Sequence, residues 1–111
     1  MAFVLQIVVG RPERGELLEG SLLEWDADDQ ELEAGARVPL RDRHDQVQQV
    51  TVDRIGNLIV GGRPSPDIVA DITTLEGRRY GLRRSGVGVL GSLWVIVGRP
   101  FEDRLAVPRS S

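Results

Sequence analysis

Ser92-Leu93-Trp94-Val95-Ile96-Val97 is the stretch on which the fold turns. At the two-residue period of a strand, Leu93, Val95 and Val97 lie on one face and Trp94 and Ile96 on the other. Both faces are apolar, and a strand of that kind is covered on both sides. It is therefore either central in a sheet or part of an interface. Trp94 and Ile96 are the candidate interface residues if a second copy supplies the cover.

Working outward, the same alternation recurs. Arg78 to Arg84 reads as a strand with Tyr80 and Leu82 inward, and Arg79 and Arg83 outward with bare Gly81 between them. Phe3-Val4-Leu5-Gln6-Ile7-Val8-Val9 puts Phe3, Leu5, Ile7 and Val9 on one face. Residues 17–25 read as a strand kinked at Gly20, 36–40 as a brief strand, and 46–55 as a strand with Val50 and Val52 on one face. Gly56-Asn57 then leads into Leu58-Ile59-Val60. The apolar residues are largely β-formers, with 14 valines and 6 isoleucines punctuated by 13 glycines and 6 prolines. Three strand ends share one turn: Val9-Gly10-Arg11-Pro12, Val60-Gly61-Gly62-Arg63-Pro64 and Val97-Gly98-Arg99-Pro100. Glycine releases the backbone there, and proline refuses further ladder pairing.

One segment carries helix signals. Ser65 is placed as an N-cap, Pro66 as the first helical residue and Asp67 against the helix dipole; Ile68, Ile72 and Leu75 follow at helical spacing, and Gly77 can stop the turn. Five β-branched residues oppose it. These signals give one short helix near 66–76. The expected fold is mostly β: a small antiparallel barrel of about six strands over residues 1–100, with 101–111 as a C-terminal tail.

Composition narrows the functions open to the chain. At 111 residues it is one domain, long enough for a core without metal or disulfide. It has no cysteine, which excludes thiol nucleophiles, disulfides and cysteine-zinc sites. No apolar run reaches the roughly 20 residues of a membrane-spanning helix. The first residues lack the basic region of a secretory signal, so a cytoplasmic location is expected. All 14 basic residues are arginine, a planar donor matched to carboxylate and phosphate. The net charge of −3 divides unevenly: residues 1–40 hold nine acids and three arginines, residues 41–111 eight acids and eleven arginines. Such polarity steers a charged partner or a second copy.

Motifs for chemistry are sparse. Gly86-Val87-Gly88-Val89-Leu90-Gly91 matches a dinucleotide fingerprint in letters, but strand material follows it where a helix is needed. The acidic loop 26–35 lacks the glycine and glutamate of a calcium loop: counted from Asp26, Glu31 and Arg37 stand in those places. His44 is the only histidine and sits in a charged turn, so no metal cluster can be built on imidazoles; a histidine triad would need a positioned serine, and no serine lies in a nucleophile-elbow context such as G-x-S-x-G. No cofactor and no metal is expected. The one cluster with binding chemistry is Arg78, Arg79, Arg83 and Arg84 around Tyr80. It can receive a carboxylate, a phosphate or an RNA backbone, or simply answer the acidic loop within the molecule.

Gly10-Arg11-Pro12-Glu13-Arg14-Gly15-Glu16-Leu17-Leu18-Glu19-Gly20 resembles a turn in the second, β-barrel domain of translational GTPases such as elongation factor Tu. Val50-Thr51-Val52-Asp53-Arg54-Ile55 is similar to that barrel's central strand, and Tyr80-Gly81-Leu82-Arg83-Arg84-Ser85-Gly86-Val87 to its closing section. The family's opening hairpin is absent, and Ser21 stands where the family usually has aspartate. There is no P-loop, so the resemblance implies a barrel and no GTPase activity. In the family the barrel contacts tRNA or the ribosome. The matched positions are scaffold turns, and no binding residue carries over. The expected function is a non-catalytic binding module. A protein partner is favoured over RNA, which the negative net charge opposes; the alternative is a self-associating structural subunit packed through the strand around Trp94.

Overall fold

A computed structural model of the chain describes residues 4–9, 20, 22–26, 32–41, 47–87 and 91–107. The strands are β1 (Val4–Val9), β2 (Leu22–Asp26), β3 (Arg37–Arg41), β4 (Val47–Val60), β5 (Arg63–Thr74), β6 (Arg79–Val87), β7 (Ser92–Gly98) and the short β8 (Leu105–Ala106), with the β-branched residues concentrated in β1, β4, β5 and β7. They lie in one sheet in the order β3-β1-β2-β7-β6-β5-β4-β8, and a further pairing of β3 with β4 brings the ladder back to its start. The sheet is therefore curled and barrel-like. Every pairing is antiparallel except β1–β3, where Leu5 faces Leu40 and Gln6 faces Arg41.

Strand β4 makes the curl possible. It runs unbroken through Gly56-Asn57, where the sequence reads as a break, and is 14 residues long. Its register against β5 shifts between Val52 and Arg54, a bulge that bends and twists a strand. One edge of β4 is consequently shared. Residues 47–51 pair with β3, while Asn57 and Leu58 pair with β8.

The expected helix near 66–76 is not formed; that span lies in β5. The Ser65 hydroxyl does accept a bond from the Asp67 N–H at 3.3 Å, so the cap chemistry is real, but no helical turn follows it. The reason is burial. Val69, Ala70, Asp71 and Ile72 are buried consecutively, on both faces of the strand, whereas a helix would turn part of that run to solvent. The β-branched side chains of Val69 and Ile72 suit the pleat.

Two apolar clusters result. Inside the curl sit Leu23, Trp25, Val38, Leu40, Val50, Val52, Ala70, Ile72, Leu82, Trp94 and Ile96, with Leu32 from the segment after β2. On the outside, Val69, Phe101 and Leu105 cluster with Leu58 and Val97. The second cluster exists because residues 99–107 form a strap. From the end of β7 it passes over the outer face of β6 and β5, makes a 3-10 turn (Glu102–Arg104), and fills the upper edge of β4 as β8.

Several readings lie outside the described residues: the turn at 10–19, most of the acidic loop (27–31), the charged turn with His44, and Gly88 to Leu90. Among the described residues, no helix is long and apolar enough to cross a membrane.

Candidate functional site: an arginine-rimmed groove on the outer face

Strand alternation places the arginines of β6 as the sequence predicts. Tyr80 is half-buried against the inner core and Leu82 lies within it, while Arg79 and Arg83 are exposed. The structure then separates those two arginines. An added Cβ at Gly81 would lie 2.5 Å from the Arg99 carbonyl oxygen and 2.8 Å from the Phe101 ring, so the strap occupies the gap between them. On one side of the strap, the Arg79 guanidinium donates to Glu102 at 2.7 Å. On the other, Arg83 donates to Asp67 of β5 at 2.8 Å. Arg78 lies 3.8 Å from Glu76 in the turn before β6. The arginine strand is thus not one anion-gripping site. Arg79 serves to hold the strap, and Arg83 faces a different surface.

Trp94 and Ile96 have no exposed area within a single chain. Strand β7 lies between β2 and β6, and the two side chains fill the inner core. The indole N–H donates to the Ser92 hydroxyl at 3.0 Å, which satisfies its polar atom. The other face of β7 carries Leu93, Val95 and Val97, all partly buried.

That face borders two adjoining hollows. One, of about 490 Å³, is lined by Asp67, Arg83, Arg84, Ser85, Val95 and Val97. The other, of about 510 Å³, is lined by Leu58, Arg83, Val97, Gly98, Arg99, Phe101 and Arg104. Arg83 and Val97 belong to both, so the two make one groove with an apolar floor. In the second hollow three arginines meet, and its described lining contains no acid. Arg104 stands over the Phe101 ring, its guanidinium carbon 5.3 Å from the centroid, within cation–π range. Arg99 is exposed and makes no ion pair among the described residues.

The sequence pattern assigns Arg99, in the turn that ends a strand, and Arg104, in the 101–111 tail, to no site. A signal was present: Phe101 and Leu105 put two large apolar side chains into a segment otherwise rich in charge. Apolar residues at that density mark a segment that packs.

No protein-family model matches the chain, and no curated protein and no solved structure matches it either.

Proposed function

We propose that the chain is a non-catalytic binding module whose outer groove, along β7 and under the strap, receives a protein partner. The observation that carries this is Arg83. It lines both hollows, as Val97 does, so that cationic and apolar lining meet there. Apolar surface bordered by arginine is the composition of protein-binding patches, in which arginine is enriched and lysine depleted. The groove gathers guanidinium and hydrocarbon, and its one carboxylate among the described lining residues, Asp67, is engaged by Arg83. Guanidinium stays protonated at physiological pH and hydrocarbon neither gives nor takes a proton, so this lining is suited to holding a ligand. Net charge −3 opposes a polyanion such as RNA. We read the barrel as laid out on the plan of the second domain of translational GTPases; the curled antiparallel sheet supports that reading as architecture only.

Affinity purification with the full chain as bait tests the proposal, with Arg83→Glu compared against Arg54→Glu. Arg54 is exposed on β4 and lines neither hollow, so both variants change the charge equally. A protein recovered by the wild type and by Arg54→Glu, and lost with Arg83→Glu, is the expected result. Recovery that ignores Arg83→Glu would refute the groove. A species of twice the chain mass in light scattering, dispersed by Arg83→Glu, would make the partner a second copy.

A further inference from the structure

We infer that the groove is a receptor for an extended peptide bearing a carboxylate close to an aliphatic or aromatic side chain, with Arg99 and Arg104 of the strap as the carboxylate receptors. The inference rests on the protein-binding reading and names the chemistry of the partner. Two features of the lining carry it.

The first is charge. Arg79 and Arg83 are each engaged at hydrogen-bond distance by a carboxylate of the same chain, Glu102 and Asp67. Arg99 and Arg104 make no ion pair among the described residues, and they line a hollow whose described lining contains no acid. A carboxylate entering there meets two planar donors without displacing an acidic partner among the described residues, and one of them already stands over the Phe101 ring.

The second is the floor. Leu58 and Val97 are partly buried members of the outer apolar cluster, with Phe101 beside them, and all three line the same hollow as the arginines. An isolated anion has no use for that surface. A peptide does: in an extended segment, side chains on one face recur every ~6.6 Å. A carboxylate can therefore stand at the arginine rim while the side chain two residues away covers Val97 and Leu58. A nucleic acid would bring charge without filling the floor, and the net negative charge of the chain repels it.

The test uses the full chain and a labelled nine-residue peptide in which leucine and glutamate alternate at every second position between serines. Binding is followed by fluorescence anisotropy at low ionic strength. The expected result is saturable binding that weakens with salt and weakens about tenfold or more when glutamine replaces the glutamates, the scale of one lost charge-assisted bond. Arg99→Gln combined with Arg104→Gln should weaken it similarly, with an unchanged melting temperature because both side chains are exposed. Arg54→Gln should leave binding as it was. Equal affinity for the glutamate and glutamine peptides, indifference to the double variant, or tighter binding of a single-stranded RNA oligomer of equal charge would each overturn the inference. If the peptide fails to bind while a partner protein is still lost on Arg83→Glu, the protein-binding reading stands and the acidic-peptide inference falls. If both fail, both fall.

Discussion

The carboxylate of Asp71, with no exposed surface, accepts the backbone N–H of Phe101 at 2.6 Å from thirty residues away in sequence. Its second oxygen accepts the N–H of Glu102 at 2.9 Å. One buried side chain on β5 thereby supplies both acceptors for the bend of the strap. This is a buried polar link between the barrel and the segment that walls the groove.

Replacing Asp71 with alanine leaves two N–H groups of the strap without acceptors. Bonds to a charged acceptor contribute roughly 1.5–3 kcal/mol each, so a loss of ~3 kcal/mol or more is expected in urea denaturation. Asp71→Asn keeps the shape but offers one acceptor oxygen for two donors, and should fall between wild type and alanine. A variant as stable as wild type would show that the strap is held by its apolar contacts alone.

Two glycines leave room for the strap. At Gly56 an added Cβ would lie 2.0 Å from the Ala106 carbonyl oxygen, and at Gly81 it would meet Arg99 and Phe101. Both obstacles are backbone or ring, which cannot step aside cheaply. Gly56→Ala should speed amide hydrogen exchange through residues 99–107 and in Asn57 and Leu58, while the amides of β6 and β7 stay protected; overpacking of this kind costs roughly 1–3 kcal/mol. Uniform acceleration across the chain would mean the strap and the barrel open together.

Trp94 is a core residue of one chain, so Trp94→Ala should cost roughly 3–5 kcal/mol and leave the molecular mass unchanged. Chemical denaturation and light scattering measure the two quantities. A folded variant of lower mass and unchanged stability would return Trp94 to an interface.

Arg79→Gln removes an exposed ion pair with Glu102, and such pairs contribute roughly 0.2–1 kcal/mol. Thermal melting should shift little. Because Arg79 lies across the strap from the groove, peptide binding should not change; a large loss of binding would move the site to the Arg79 side.

Much of this architecture was legible in the letters. The alternation of Leu93 to Val97 placed Trp94 and Ile96 on one face and the valines on the other, and that of Arg79 to Arg83 set Tyr80 and Leu82 inward. Period-two patterning is local, and one buried face is enough to enforce it. Ser65-Pro66-Asp67 misled because a cap is also local: its hydrogen bond formed, yet the residues after it were taken into a sheet covered on both sides.

The sequence by itself determined that the chain would be built of strands, which side chains of β6 and β7 would alternate inward, and that its cations would all be planar guanidinium groups. Only the tertiary structure decided which arginines are engaged. Arg79 and Arg83 are two positions apart on one face of a strand, yet a strap crosses Gly81 and sends one to Glu102 and the other to Asp67. Arg99 and Arg104, remote from Arg83 in sequence, share a hollow with it. Ion pairs and grooves depend on which segments cross in space. The crossing is fixed here by Asp71, thirty residues from the backbone that it holds, a separation no local pattern encodes.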